Sequence, residues 1–299
     1  VRTAAIVVNP IAGSRARVRA LDAFCAALRE GGMDVRVRHT TRVGEGALLA
    51  EEEARAGADF VVAAGGDGTV NDVAAGLANV PSARAALAIL PRGTSNLVAR
   101  DLGLPFRATD TARIVLEGRT APMDLGVVNG RVFVACVGVG WDAHVVRLLA
   151  KARRGHITFS TWTGPIARAA VGYEFRPLRV SIPGGASAEG EFAIVLNTRP
   201  YAAFFQPVPG ARRDDGLLDA LVLRKGGLLD LPRWAWKARF GALDKDGSAT
   251  HLRAAAFRVE ADTPLPVQID GDVGGETPLD ILVRPAAVRV VVPAATGEG

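Results

Sequence analysis

The sequence predicts a parallel α/β domain followed by an all-β sandwich domain. Two observations carry this. Over the first third, short unbroken apolar runs alternate with glycine-bearing loops and helical stretches. Beyond about Asp124, short strands follow one another with turn residues between them and few helices.

The first run, Ala4 to Val8, leads into Asn9-Pro10-Ile11-Ala12-Gly13 and then a helix on which Val18, Leu21, Cys25 and Leu28 recur at spacings of three and four. That spacing places them on one face. Gly31-Gly32 stops the helix, and Asp34 to His39 reads as a further strand. The second run, Asp59 to Ala64, leads into Gly65-Gly66-Asp67-Gly68-Thr69 and a helix from Val70 to Ala78. The third, Ala86 to Leu90, leads into Pro91-Arg92-Gly93-Thr94-Ser95-Asn96 and a helix from Leu97 to Leu102. Strands that are apolar along their whole length are buried on both faces, as parallel strands are. Ligands bind such sheets at the carboxyl ends of the strands. The loops at Asn9, Gly65 and Gly93 are therefore expected to meet at one cleft.

In the second half, Leu125–Asn129 and Val132–Val137 flank Asn129-Gly130, a strong hairpin signal. Strands are expected over Leu178–Ile182, Glu191–Asn197, Leu217–Leu223, Phe257–Glu260, Val267–Asp270, Leu279–Val283 and Val288–Val292. Helical exceptions are Trp141–Lys151, Thr161–Val171 and Leu229–Phe240. The domain division follows as 1–124 and 125–286, with residues 287–299 forming a strand that returns to the first domain.

Of the 299 residues, 49% are hydrophobic, so the chain can bury a sizeable core and is not expected to be disordered. No apolar run approaches the roughly 20 residues that span a bilayer. Val1 to Val8 lacks the layout of a signal peptide. Cys25 and Cys136 alone make neither a disulfide framework nor a zinc spacing. A soluble, cytoplasmic protein is the expectation. The net charge of +5 favours anionic partners, whether nucleotide, nucleic acid or acidic membrane, without choosing among them.

Gly65, Gly66 and Gly68 lack a Cβ, so they permit positive φ and let backbone amides approach an anion. Thr69 and Asn71 stand at the start of a helix, whose N-terminus favours negative charge. Asp67 would repel phosphate unless a divalent cation lay between them, which makes it a natural Mg²⁺ contact. The run is neither a Walker A loop nor the dinucleotide G-x-G-x-x-G loop. The ordinary alternative is a tight strand-to-helix turn with an exposed Asp. In the third loop, Thr94 or Ser95 either caps the helix or donates to a phosphate.

These motifs resemble the diacylglycerol kinase catalytic family, which includes bacterial lipid kinases, sphingosine kinases and ceramide kinases. The resemblance rests on Val8-Asn9-Pro10 with Gly13, on the Gly65–Asn71 run and on Leu90–Asn96. It continues through Met123-Asp124-Leu125-Gly126, Gly138–Ala143, Asp215-Gly216-Leu217-Leu218-Asp219 and Asp270-Gly271-Asp272, and so spans almost the whole chain. The Gly65–Thr69 motif alone is shared with NAD kinases and phosphofructokinases. The resemblance implies an NAD-kinase-like, three-layer α/β domain, a C-terminal β-sandwich that takes the lipid, and an active site between them. It implies ATP bound by Gly65, Gly66, Asp67, Gly68, Thr69, Val70 and Asn71, with Asn9, Thr40 and Thr94 contributing; Thr41 competes with Thr40. It also implies a second, structural metal on Asp215 with the carbonyls of Arg212 and Leu217. From the residues alone, Asp215-Gly216 is an ordinary turn.

The family usually has Asp-Gly-Glu where this chain has Asp270-Gly271-Asp272, and the Glu is its proposed general base. Asp272 keeps the carboxylate but is one methylene shorter. The implied reaction is transfer of the ATP γ-phosphoryl group to a lipid hydroxyl such as that of diacylglycerol. Asp272 takes the proton, and Mg²⁺ is held in part by Asp67. Two other readings stay open. One is an NAD kinase-like enzyme; the other is a non-catalytic nucleotide- or lipid-binding regulator in which Asp272 marks lost catalysis.

A lipid acceptor implies transient contact with an anionic membrane surface. Arg147, Lys151, Arg153 and Arg154 lie beside Val145, Val146, Leu148 and Leu149, and Trp234, Trp236, Lys237 and Arg239 form a second mixed group. The ordinary alternative for both is a core helix with a solvated basic face. His39, His144, His156 and His251 have no metal-ligand spacing. Nothing beyond net charge suggests nucleic acid. The lipid's identity and the oligomeric state are not legible.

Overall fold

A computed structural model describes residues 1–9, 15–42, 44–152, 159–224 and 230–294. The chain divides into two compact units. One is Val1–Met123 with the C-terminal stretch from Ala286, and the other is Asp124–Pro285.

The first unit runs β1 (Thr3–Val8), α1 (Arg15–Glu30), β2 (Asp34–His39), α2 (Glu45–Arg55), β3 (Phe60–Gly65), α3 (Asp67–Ala78), β4 (Ala86–Pro91), α4 (Leu97–Asp101) and α5 (Ala108–Glu117). Its strands lie in the order β2-β1-β3-β4, all parallel. Every residue of β3 and β4 is buried, as a sheet covered on both faces requires. On one face, Ile6, Val62 and Ala88 pack with Phe24, Leu28, Ala112 and Val115 of α1 and α5. The alternate residues, Val7, Val61 and Leu87, are equally buried, on the side taken by α2 and α3. The helices α2 and α5 go beyond what the sequence predicts.

The second unit opens partway along β5 (Thr120–Val128). It continues with β6 (Arg131–Phe133), β7 (Cys136–Val139), α6 (Trp141–Ala152), α7 (Thr163–Gly172), β8 (Leu178–Ser181), β9 (Ser187–Gly190) and β10 (Phe192–Leu196). Then come β11 (Leu218–Leu223), α8 (Asp230–Arg239), β12 (Ala249–Ala254), β13 (Ala256–Glu260), β14 (Pro266–Ile269), β15 (Asp272–Glu276) and the first part of β16 (Leu279–Val291). One antiparallel sheet has the order β12-β11-β10-β7-β14-β15. Facing it, β16, β13, β8 and β9 pair in that order. The layer between them is apolar, with Val137, Val195, Val222 and Val267 from one sheet meeting Val180, Phe257, Val259 and Ile281 from the other. This is a sandwich, as the succession of short strands separated by turn residues predicts. On the outer face of the six-stranded sheet, Trp234 and Ala238 of α8 cover Ile194 and Leu221.

Asn129 and Gly130 both have positive φ, and Val128 pairs with Arg131, so the predicted hairpin turn is present. The expected strand Val132–Val137 is instead two, broken at Val134-Ala135. The two strands expected at Leu279–Val283 and Val288–Val292 are one, β16, which bends at Ala286 with φ 46°. Near its end, Val290 pairs in parallel with Leu87 of β4.

Candidate active site

In the first unit, strand register brings the loops together. Val8 pairs with His39 on one side and Ala64 on the other, and Ala64 pairs with Leu90. Asn9, Thr40, Gly65 and Pro91 therefore stand side by side at the carboxyl edge, with neighbouring strands about 4.8 Å apart. Thr40 is buried, and its hydroxyl turns back to the Val8 carbonyl at 3.4 Å. Thr41 is exposed and gives its hydroxyl to Glu45 at 2.9 Å.

The Gly65–Thr69 run is not a free-standing loop. Gly65 ends β3, Gly66 caps α3, and the helix begins at Asp67, three residues before the predicted start. The amides of Thr69 and Val70 both donate to the Gly66 carbonyl, at 3.0 and 3.1 Å. Those ahead of them lie outside the helix's own ladder, where an anion is favoured. Gly66, as the N-cap residue, has no side chain with which to cap the helix itself. Val70 is core, and Asn71 is half-buried in the same turn.

Close approach, and not positive φ, is what requires Gly65, Gly66 and Gly93. The backbone of Gly66 is extended, and neither it nor Gly65, Gly68 or Gly93 has positive φ. A Cβ on Gly93 would lie 2.4 Å from the Gly66 Cα, so the two loops touch backbone to backbone. The Arg92 amide donates to the Gly65 carbonyl at 2.8 Å. Asn96 clamps its own loop, taking the Gly93 amide at 2.8 Å and giving its Nδ2 to the Gly93 carbonyl at 2.9 Å.

Asp67 completes the junction. Its Oδ1 accepts the Leu97 amide at 2.6 Å, the first residue of α4. Asp67 therefore makes for α4 the capping bond that one of the two readings of Thr94 and Ser95 gave to those hydroxyls. Asn96, the residue before that helix, is left-handed and makes no side-chain capping bond. Thr94 and Ser95 are half-buried in the loop between. A carboxylate has about four lone-pair directions, so one hydrogen bond does not preclude a metal contact. Among the described residues no group of three or more His, Cys, Asp or Glu could hold a metal. A single carboxylate next to phosphates is how Mg²⁺ is commonly held, and Asp67 fits that pattern.

In the second unit, Asp270-Gly271 forms the tight turn between β14 and β15, with φ of 50° and 86°. The Asp270 carboxylate takes the amides of Val134, Ala135 and Cys136 at 2.8, 2.8 and 2.9 Å. The break between β6 and β7 exists to present them. Asp272 begins β15 and is exposed; its side chain makes no hydrogen bond or ion pair among the described residues. Glu276 lies four residues on along the same strand, and Arg147 holds it at 3.1 Å.

The same break leads toward Asp215. Asn197 donates from Nδ2 to the carbonyls of Val134 and Asp124, each at 2.9 Å, and the buried Asp124 carboxylate takes the Gly216 amide at 2.7 Å. Asp215 accepts the Leu217 amide at 3.0 Å and pairs with Arg253. Arg212 is exposed and bonds Asp214 at 3.1 Å. A cation at Asp215 would compete with the Arg253 guanidinium for the same carboxylate.

Sequence reasoning gave no role to Gln268, nor to Asp142, which it met only as part of the Gly138–Ala143 motif. Both are buried, and Gln268 Nε2 donates to Asp142 Oδ2 at 3.1 Å. The available signal was a Gln inside the apolar run Val267-Gln268-Ile269. Burial raises the Asp142 carboxyl to about 6, against the hydrogen bonds from Tyr201 and Gln268 that favour its charge. The Tyr201 hydroxyl is pushed up by its burial and by Asp142.

Of the two candidate membrane surfaces, α6 buries its apolar side, Val145, Val146 and Leu149, in the core. Arg153 and Arg154 lie outside the described residues. On α8, Trp234 is core, while Trp236, and Phe240 just past the end of the helix, are 68% and 62% exposed. No helix among the described residues is long and apolar enough to cross a membrane.

Residues 3–128 match the model of the diacylglycerol kinase catalytic domain, and residues 135–292 match that of the YegS C-terminal NAD kinase beta sandwich-like domain. The chain is 30% identical to a diacylglycerol kinase of Bacillus subtilis (strain 168), over 99% of this chain and 98% of that protein. It is 27% identical to one of Staphylococcus aureus (strain JH9), over 98% and 93%. Among solved structures, a diacylglycerol kinase from Bacillus anthracis str. Sterne superposes with a TM-score of 0.76 at 23% identity, over 98% of this chain and 97% of that one. A second structure from the same organism reaches 0.81 at 24% identity, over 99% and 98%. These two likenesses are of fold. With both domain models and a full-length relative in agreement, the chain belongs to the diacylglycerol kinase catalytic-domain family.

Proposed function

We propose that the chain transfers the γ-phosphoryl group of ATP to a hydroxyl of a diacylglycerol-type lipid, with Asp272 as general base. The observation that carries this is the junction at the carboxyl edge of the first unit. Two glycine loops meet there backbone to backbone, joined by Asp67, at a helix N-terminus whose N-cap residue is a glycine. That is an anion cradle fixed before the ligand arrives, and phosphoryl transfer depends mainly on such positioning.

The amides at Gly66–Gly68 would hold phosphate oxygens, with Asn9, Thr40, Thr69, Asn71 and Thr94 around them. Asp67 would hold Mg²⁺, which when bound supplies positive charge against the phosphates. Asp272 has the exposed carboxylate that a base needs to meet an acceptor. The second metal, on Asp215 with the carbonyls of Arg212 and Leu217, requires Arg253 to move aside.

An enzyme with a lipid acceptor must reach a bilayer. At the end of α8, the rings of Trp236 and Phe240 lie 4.7 Å apart, and the Arg239 guanidinium lies over Phe240 at 5.7 Å. Exposed aromatics beside a cation suit an anionic interface.

The test is transfer of label from γ-labelled ATP, with and without Mg²⁺. The acceptors are diacylglycerol, a sphingoid base, a glycolipid, a polyprenol and NAD, with the lipids in neutral or anionic vesicles. Mg²⁺-dependent labelling of diacylglycerol, faster in anionic vesicles, is expected. Labelling of NAD alone, or nucleotide bound without turnover on any acceptor, would replace the reading by one of its alternatives.

A further inference from the structure

The turn that carries Asp272 is held from two sides. From the β6–β7 break, three amides bind Asp270. From inside the sheet, Gln268 Oε1 accepts the Gly271 amide at 2.8 Å, while its Nε2 donates to Asp142 Oδ2 at 3.1 Å. Asp142 is itself fixed. Its Oδ2 accepts the Tyr201 hydroxyl at 2.7 Å and its Oδ1 accepts the Ala143 amide at 2.6 Å. Gly138 makes room for it, since a Cβ there would lie 1.8 Å from Asp142 Oδ2.

Burying an amide side chain among aliphatic neighbours is unfavourable unless its polar atoms are bonded. Val267 and Ile269 face the apolar layer of the sandwich, and Gln268 points to the other side of β14, toward Asp142. The polar group at 268 is accounted for by what it joins, the Gly271 amide at the turn and Asp142 at the start of α6. Asp272 follows Gly271 directly. Its side chain has no hydrogen bond or ion pair among the described residues, so the turn alone sets where the carboxylate starts. One methylene shorter than Glu, it has little reach to make up for a displaced backbone.

We propose that Gln268 is a positioning residue for Asp272, clamping the turn by bridging the Gly271 amide to Asp142. This rests on Asp272 being the general base. Gln268→Met keeps the volume and removes these two bonds together with the weaker one from Nε2 to Cys136 Sγ at 3.6 Å. An error of about 1 Å in a reacting group can cost a hundredfold in rate, so a fall in kcat of roughly tenfold or more is expected. KM for ATP should stay within about twofold.

The experiment is a double-mutant cycle of Gln268→Met with Asp272→Asn, using ATP and a diacylglycerol in mixed micelles. Gln268→Met should have no further effect once Asp272 is Asn. An unchanged kcat in Gln268→Met, or an equal fall in both backgrounds, overturns the proposal. If Asp272→Asn abolishes transfer while Gln268→Met does nothing, the base reading stands and the positioning role fails. If Asp272→Asn leaves kcat unchanged, both fail.

Gln268→Glu provides a second variant. Protonated, Glu can accept from Gly271 and donate to Asp142; ionised, it faces a carboxylate. Its kcat relative to the unaltered chain should fall as the pH rises, and a flat ratio overturns the proposal.

Discussion

Asp67 stands in the first turn of one helix and serves another thirty residues further on, accepting the Leu97 amide. Its proposed metal role and this capping role separate by substitution. Asp67→Asn keeps an oxygen for Leu97 but loses the charge, while Asp67→Ala loses both. The Ala variant should lose about 1 kcal/mol of stability, as a lost cap does, and the Asn variant well under that by denaturant unfolding. Both should lose about a hundredfold in turnover; full turnover in Asp67→Asn would remove the metal role. The glycines and hydroxyl residues of this site were legible because they are contiguous. The capping bond was not, because its acceptor and donor lie on different helices. The hydroxyls of Thr94 and Ser95 drew attention from Asn96, whose clamp on Gly93 spans only three residues.

At the scale of elements, Asp142 at the start of α6 gives the sandwich a pH dependence. Its carboxyl titrates near 6 in the fold against an ordinary 3.8. A raised value means that the folded form holds the proton more tightly. The stability this contributes is full below about 3.8 and is lost as the pH rises through about 6. At about 1.4 kcal/mol per unit, the span is about 3 kcal/mol. Urea unfolding of the chain and of Asp142→Asn should therefore show the unaltered chain losing stability relative to the variant between about pH 4 and about pH 7. A difference that stays flat across that range would contradict it.

Long apolar strands and the Asn129-Gly130 turn were legible. The helix α2 was not, because its buried face is Gly46, Leu49, Ala50, Glu53 and Ala54, with little apolar contrast. Strand β15, Asp-Val-Gly-Gly-Glu, is mostly exposed and has no alternation to read. The bend at Ala286, after Arg284-Pro285, looks like a turn in sequence, yet β16 continues through it.

At the scale of the whole molecule, the chain is a lipid kinase of the diacylglycerol kinase family. Its first unit carries the joined glycine loops, the proposed anion cradle, and its second carries the turn that bears Asp272. The family was legible because its motifs sit at strand ends and turns, where backbone geometry restricts residue choice. The lipid was not, because apolar contacts carry little address.

The central claim is that the joined glycine loops hold the nucleotide, independently of the base. Calorimetric titration with ATP and Mg²⁺ tests it on the unaltered chain, Gly93→Ala and Asp272→Asn. The account predicts similar affinity for the unaltered chain and Asp272→Asn. Gly93→Ala should lose at least about tenfold, roughly 1.4 kcal/mol, since its Cβ would lie 2.4 Å from the Gly66 Cα. Unaltered affinity in Gly93→Ala, or no binding by the folded unaltered chain, would contradict it.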